Sequence, residues 1–344
     1  MKKILISACA IALCAGVSAA SVGCNGGNDT NGVTLVEVSS DDVGRVDGVS
    51  YYVVPEPAAS AKVKALTAAG TEYTNVASLQ QLYGDESYPQ AVVVAKKSLI
   101  ENDGAFVTKF LTEYAGTASW LDAQTSYADI VTAINSHGGT TLKAPMLSSA
   151  VVKNCNIYFK KAADAKQSIL SYMNSVNAIN SAMFGQCEDA FFCDIDGISA
   201  TTVNESKTTV SVYMPDGAPA LSMAKMMCAA PDVGKTLDFH VVAANTINTC
   251  VTYNDEVNNA DLCVLPVNAA AKLLGNGSKY QLLGGVTHGN LFIISSDGTP
   301  LTADNLSPKL EGKRVGVVNL SAVPGLTFKM ILNKYDITYT QGGV

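Results

Sequence analysis

The chain has 344 residues, of which 48% are hydrophobic and 15% charged, and its formal net charge is −7. This length exceeds what one hydrophobic core usually covers, so we expect two lobes. The composition predicts a well-buried protein and excludes a disordered chain. The acidic balance provides no basic surface, and we therefore expect no nucleic-acid partner.

The N-terminal segment has the pattern of an export signal. Lys2 and Lys3 precede an apolar run over residues 4–17, and small residues follow it. The run is marginal for a permanent membrane span, and the small residues favour cleavage. We therefore predict a signal peptide over residues 1–23 and a polar tether over residues 24–32.

Cys24 opens this tether and resembles the lipidated cysteine of bacterial lipoproteins. Lipidation would hold the exported protein at the outer face of the bacterial cytoplasmic membrane without a transmembrane helix. Ser21 stands where that pattern usually has leucine, so cleavage after Ala20, which gives a periplasmic protein, is the alternative.

Apolar runs then alternate with helical patterns, which predicts an α/β fold with sheets covered on both faces. The clearest strands lie at residues 91–95, 291–294 and 315–318. The clearest helices lie at residues 99–114, 164–177 and 325–335. The strands at 91 and 291 border turn-rich segments, and we interpret them as hinge crossings between the lobes.

Two short phrases each occur twice. A strand runs into a helix opened by proline at residues 212–225 and again at 317–329. A second strand-proline-helix phrase occupies residues 263–272 and is repeated at 52–62. Self-similarity of this kind predicts two similar units.

The spacing of the phrases shows that one unit is cut by the chain ends. Val212 and Val264 lie 52 residues apart, whereas Val317 and Val53 match that spacing only if the C-terminus continues into a mature N-terminus. We therefore predict a circular permutation, which folded domains tolerate because their termini usually lie at the surface. Chance similarity of two common segments is the alternative.

The four phrases resemble, in sequence and mutual distance, the solute-binding proteins of ABC importers. The nearest branch includes the alkanesulfonate, nitrate and thiamine-pyrimidine-precursor binding proteins. The resemblance covers about residues 33–344 and implies two α/β lobes of the type II periplasmic-binding-protein fold, linked by hinge strands. The family's second half precedes its first half here, either naturally or by engineered rearrangement.

The resemblance also implies the domain boundaries. Lobe one comprises residues 210–294 followed, in the order of the family, by 91–194. Lobe two comprises residues 295–344 followed by 33–90. Residues 195–209 have the composition of a linker.

In open α/β sheets, ligands bind beyond the carboxyl ends of strands, where helix N-termini point their amide groups. Pro219 and Pro324 each fit the first position of a helix, so the turns before them are expected to present donors, one turn per lobe. The turn residues are Asp216, Gly217 and Ala218 in one lobe and Asn319, Ser321 and Ala322 in the other. The alternative is that these prolines begin two ordinary helices.

The second phrase adds Pro266 and Asn268 in one lobe and Glu56 in the other. Glu56 lies between two prolines, which suits a preorganised acceptor for an amine or amide, and equally a carboxylate that caps the next helix. His288 and Asn290 precede a hinge strand and are expected to line the cleft, although a lone histidine is more often structural.

Signals for catalysis are absent from the sequence: it has no HExxH, GxSxG, P-loop or GxGxxG motif. Its three histidines lack metal-ligand spacing. We expect no catalytic residues, metal or cofactor. Cys187 and Cys193 are close enough in sequence for a local disulfide, but spacing alone does not establish one.

These patterns predict the solute-binding component of an ABC importer, a monomer that captures a small organic molecule and delivers it to a membrane permease. An extracellular enzyme or a ligand-sensing domain that uses the same cleft is the alternative. Helix N-termini favour an anion and Glu56 favours a donor, so a zwitterion or an aminopyrimidine-like molecule is compatible with both.

Overall fold

The computed structural model describes residues 32–84, 87–181, 189–251, 259–274 and 279–343. The predicted signal peptide, Cys24 and Cys187 lie outside these ranges. Within them, the chain forms two mixed β-sheets, each with six strands in the described part, covered by helices. The predicted α/β fold class is therefore confirmed.

Sheet A alternates strands from the two ends of the chain. Its order is β12, β1, β11, β2, β10, β3. These strands are β1 Val33–Val38, β2 Val49–Pro55, β3 Thr74–Ser78, β10 Leu291–Ser295, β11 Arg314–Val318 and β12 Tyr339–Gly342. All run parallel except β10, which is antiparallel to both β2 and β3.

Sheet B has the order β5, β9, β4, β8, β6, β7. Its strands are β4 Pro89–Lys96, β5 Ile157–Lys161, β6 Thr209–Pro215, β7 Thr236–Val242, β8 Leu262–Pro266 and β9 Tyr280–His288. Strand β4 is antiparallel to β8 and β9, just as β10 is antiparallel to its neighbours in sheet A. The edge strand β5 is also antiparallel to its neighbour β9 and so runs in the direction of β4. Each sheet therefore contains a central strand that is antiparallel to both of its neighbours.

The helices cover the faces of both sheets. In chain order they are α1 Ala58–Ala68, α2 Leu79–Tyr83, α3 Lys97–Asn102, α4 Gly104–Ala115, α5 Thr117–Asp122, α6 Ala128–Ser136, α7 Ser149–Asn154, α8 Ala162–Ile179, α9 Ala218–Ser222, α10 Ala224–Cys228, α11 Val267–Leu274, α12 Leu306–Leu310 and α13 Val323–Lys334.

The chain crosses between the sheets twice, and both crossings join carboxyl edges. Strand β9 ends at His288 and β10 begins at Leu291, opposite the last residue of β2. Strand β3 ends at Ser78, and the chain returns through α2 to Pro89, which pairs with His288. The carboxyl ends of the parallel strands of the two sheets therefore meet at the crossings.

The largest apolar cluster takes buried side chains from both sheets and from α8. Val92 and Val94 of β4 belong to it, whereas Val93 belongs to a second cluster between sheet B and its helices. This division follows from the pleat, because successive side chains of a strand point to opposite faces. A third cluster covers the other face of sheet A.

Three sequence predictions differ in detail from the structure. The helix predicted over residues 99–114 is interrupted at Asp103, whose φ of −142° is not helical and whose carboxylate pairs with Lys235 at 3.1 Å. Pro219 and Pro324 occupy the second helical position, after Ala218 and Val323. Strand β10 pairs within sheet A, so the change of sheet falls at residues 289–290 and not after residue 294.

The segment predicted as a linker is held against the protein. The backbone N–H of Ala105 donates to the carbonyl oxygen of Thr202, and Lys235 Nζ donates to that of Asn204 at 2.7 Å. Lys161 pairs with Asp196 at 2.8 Å. The small polar residues are mostly exposed, which explains the linker-like composition of a docked segment.

Candidate functional site

The crossing from β9 to β10 uses each of four consecutive backbone N–H groups in a hydrogen bond. His288 donates to the carbonyl oxygen of Asn156, and Gly289 donates to that of Tyr88. Asn290 donates to the side chain of Gln90 at 2.8 Å, and Leu291 donates to the hydroxyl of Tyr88 at 3.2 Å. Buried backbone groups require such partners, so the backbone here is fixed by residues in or directly before β4 and β5 of sheet B.

Gly289 permits this close packing. A Cβ atom at this position would overlap the side chain of Gln80 and lie 2.9 Å from the Tyr88 ring. Contacts between carbon atoms are optimal near 3.5 to 4.0 Å. The absence of a side chain is therefore what allows the second crossing to pack against the first.

Asn290 lies opposite Glu56 where the two sheets meet. Leu291 pairs with Pro55, and the backbone N–H of Glu56 donates to the carbonyl oxygen of Asn290 at 2.9 Å. Residues that oppose each other in an antiparallel pair place their side chains on the same face. Asn290 is 3% exposed, and its Oδ1 is buried without a hydrogen-bond partner.

The carboxylate of Glu56 is buried and accepts hydrogen bonds from its own helix and from a helix beside sheet B. Its Oε2 accepts from the backbone N–H of Ser60 at 3.0 Å, and its Oε1 accepts from the Ser60 hydroxyl at 2.6 Å. From α7, which precedes β5 of sheet B, Asn154 Nδ2 donates to Oε1 at 3.4 Å. Glu56 therefore caps α1, one of the two roles predicted for it, and also contacts the other side of the meeting edge.

Asn268 supplies a second amide with an unpaired oxygen. It is the second residue of α11, which begins directly after Pro266, and its Oδ1 is buried without a hydrogen-bond partner. Pro266 pairs with Ala91, the residue after Gln90, and Gln90 in turn binds Asn290. Asn268 and Asn290 therefore flank the first residues of β4.

Asp216 accepts hydrogen bonds from the loop after α6 and from its own turn. Its Oδ2 accepts from the backbone N–H groups of Thr140 and Thr141 at 2.7 and 2.8 Å, and its Oδ1 accepts from Gly217 at 2.8 Å. The sequence predicted that this turn presents free donors, but the Gly217 N–H is already used by the neighbouring carboxylate. Ala218 is buried at the start of α9.

The corresponding turn of sheet A is more exposed. Asn319 adopts a φ of 59°, and its carbonyl oxygen accepts from the N–H of Ala322 at 3.0 Å. Asn319 and Ser321 are exposed and Ala322 is half-buried. Among the described residues, no hydrogen bond or ion pair joins this turn to Asp216.

His288 has the contacts of a structural residue. Its ring stacks on Tyr158 with centroids 3.8 Å apart, and its Nε2 lies 3.2 Å from the Tyr158 carbonyl oxygen. Burial lowers the pKa of His288 from 6.5 to about 4, so the ring is neutral at pH 7. These observations favour the structural alternative for this histidine.

The sequence did not indicate Gln90, Asn154, Thr140, Thr141 or Ser60. Gln90 had a usable signal, since it directly precedes the apolar run of a predicted crossing. The others depend on contacts between distant segments. Within the described ranges, no group of three or more His, Cys, Asp or Glu side chains could hold a metal ion.

No family model matches the chain, and no curated protein matches it. Among solved structures it is similar to the periplasmic EDTA-binding protein EppA, at 12% identity and a TM-score of 0.24, over 69% of this chain and 52% of that one. It is also similar to the oligopeptide-binding protein AppA from Bacillus subtilis in complex with a nonapeptide, at 10% identity and a TM-score of 0.26, over 71% and 54%. The chain thus spans about half the length of either protein.

None of the helices in the described part of the chain combines the length and apolarity needed to cross a bilayer.

Proposed function

We propose that the protein binds a small organic solute where the carboxyl edges of its two sheets meet. The observation that carries this proposal is the pair of buried amide oxygens, Asn268 Oδ1 and Asn290 Oδ1, which have no hydrogen-bond partner. Leaving such a group unsatisfied costs about 1–3 kcal/mol. A ligand that supplies the missing partners would offset this cost.

The location supports the same proposal. Ligands of α/β sheets bind beyond the carboxyl ends of strands, and here two such edges adjoin with only two crossings between them. Two lobes joined by a pair of strands can close over a ligand with changes in few residues. The site therefore comprises Asn290 at the crossing, with Glu56 and Asn268 on either side.

The resemblance of the sequence phrases to ABC-importer proteins extends the proposal. On that basis, the chain is an exported monomer that delivers its solute to a membrane permease, held by a lipid on Cys24 or released into the periplasm after cleavage at Ala20. The strand equivalences support the permuted order, because β6, β8, β4 and β9 occupy the places of β11, β2, β10 and β3 in the other sheet. The two sheets correspond in this way only if the chain is read from the end of β12 into the start of β1. These two strands pair in parallel.

The test is to compare the masses of the native and denatured protein and to measure thermal unfolding with the molecules that are released. We expect a small molecule in the native protein. When it is added back at about 100 times its dissociation constant, it should stabilise the fold by about 2.7 kcal/mol, without being converted. Chemical turnover of the molecule would support the enzyme alternative and contradict this proposal.

A further inference from the structure

The site is rich in acceptors and carries negative charge. Glu56 is 2% exposed. In the part of the chain that the structure describes, its carboxylate forms no ion pair with a lysine, arginine or histidine. Buried charges in proteins are normally paired with an opposite charge. Glu56 is an exception, because its buried carboxylate has no basic partner among the described residues.

Several backbone donors that an anionic solute could use are occupied by the protein's own carboxylates. Ser60 at the start of α1 donates its N–H to Glu56, and in the predicted turn of sheet B the N–H groups of Thr140, Thr141 and Gly217 donate to Asp216. An anion would have to displace a carboxylate from these groups. At α1 the N-terminal dipole acts on the negative charge of Glu56.

The unpaired amide oxygen of Asn290 gives the second, independent observation. Asn290 opposes Glu56 across the β2 and β10 pair, so its side chain lies on the same face as the carboxylate. A carboxylate accepts up to about four hydrogen bonds, and Glu56 accepts three. One N–H group of a ligand could be shared by Glu56 Oε2 and Asn290 Oδ1.

We propose that the solute is a cation that presents N–H donors, such as a protonated amine or an amidinium group, and that Glu56 and Asn290 hold these donors. This inference rests on the proposed function and names the class of its ligand. Charge-assisted hydrogen bonds are roughly twice as strong as neutral ones. The positive charge of the ligand would also neutralise the buried carboxylate.

The test combines the released molecule with matched probes. Protein stripped by unfolding and refolding is titrated with butane-1,4-diamine and, as the anionic counterpart of similar length, with adipate, and the unfolding temperature is followed. We expect the diamine to raise the unfolding temperature and adipate to have no effect. Glu56→Gln should weaken the response at least tenfold, because glutamine keeps an acceptor for Ser60 but removes the charge.

Two control variants separate binding from folding. Ser60→Ala removes the hydroxyl that donates to Glu56 Oε1 but keeps the backbone N–H on Oε2 and the charge of the carboxylate, and Glu37→Gln removes an exposed carboxylate outside the site. Glu37→Gln should respond to the diamine as the unmodified protein does, and Ser60→Ala should retain most of the response. If Ser60→Ala loses the response as fully as Glu56→Gln does, the charge of Glu56 is not what binds the diamine and the proposal is overturned.

If neither the diamine nor adipate changes the unfolding temperature, the chemical class of the molecule released from the native protein tests the proposal. A released cation with N–H groups supports the proposal. A released anion or neutral compound, or stabilisation by adipate, overturns the ligand class but leaves the proposed function standing. No released molecule together with no response to either probe contradicts the proposed function itself.

Discussion

The hydroxyl of Tyr172 on α8 lies 2.9 Å from the hydroxyl of Thr327 on α13, and both side chains are fully buried. Helix α8 follows strand β5 of sheet B, whereas α13 follows strand β11 of sheet A. Burial raises the pKa of Tyr172, so its hydroxyl stays protonated and can donate. This hydrogen bond therefore connects a helix beside sheet B to a helix beside sheet A, away from the crossings.

Removing either hydroxyl should destabilise the protein because its partner is left buried and unpaired. We expect Tyr172→Phe and Thr327→Val each to lower the free energy of unfolding by about 1–3 kcal/mol. The double variant should lose less than the two together, with a coupling energy of at least about 0.5 kcal/mol. Urea denaturation of all four proteins measures this, and strictly additive losses would contradict the contact.

The free energy of unfolding should decrease as the pH is lowered, because His288 is buried in its neutral form. Its folded pKa of about 4 lies below its ordinary value of 6.5, so the unfolded chain binds the proton more readily between these values. The stabilisation is fully present above pH 6.5, and up to about 3 kcal/mol is lost as the pH falls toward 4. His288→Phe keeps an aromatic ring on Tyr158 but cannot titrate. Urea unfolding of both proteins between pH 7 and 4 should show a shallower decline for this variant, and parallel curves would refute the assignment.

Gly289→Ala should loosen the crossing. The added Cβ would lie 2.9 Å from the Tyr88 ring, so the two crossings must separate. Overpacking of this kind typically costs about 1–3 kcal/mol in free energy of unfolding. Gly343→Ala is the control, because a Cβ there meets nothing within 4 Å. Thermal and urea unfolding compare the two, and equal stabilities would show that the crossing tolerates the methyl group.

The permutation can be tested by reversing it. Strands β12 and β1 are parallel neighbours, so the end of one lies about 11 Å from the start of the other, which a Gly/Ser linker of about six residues spans. We expect residues 32–343, joined in this way and opened between the exposed Ala200 and Thr201, to unfold cooperatively with an unchanged circular dichroism spectrum.

Opening the same joined chain between Val264 and Leu265, which are buried in β8, is the matched control and should prevent folding. If the variant opened at Ala200 also fails to fold, the two ends are not interchangeable and the permuted order loses its support.

The sequence was sufficient to predict the local elements of the fold. The apolar runs at 91, 291 and 315 are buried strands, and the helices predicted from 164 and 325 are α8 and α13. These elements are predictable because burial on both faces requires continuous apolar residues. The break in the helix at Asp103 was not predictable from the sequence. Asp103 forms an ion pair with Lys235, which is distant in the sequence.

The candidate site was predictable only in part. Glu56 and Asn290 were selected from their positions beside prolines and before a crossing, and the structure brings them into direct contact. The donors of the Asp216 turn were predicted to be free, but which groups face a carboxylate depends on how residues 140–141 fold back, and no local pattern contains that information. The hydrogen bond between Asn154 and Glu56 was likewise not predictable from a local pattern, since the two residues are 98 positions apart in the sequence.

The alternating order of sheet A has a consequence for biosynthesis. Every neighbour of β1, β2 and β3 in that sheet lies at or after Leu291, near the end of the chain. While the ribosome is still translating, these three early strands have unpaired edges, the state in which strands most readily associate with other chains. Sheet A therefore cannot be completed until these late strands have been synthesised, and we expect its folding to be slow because its pairing is long-range.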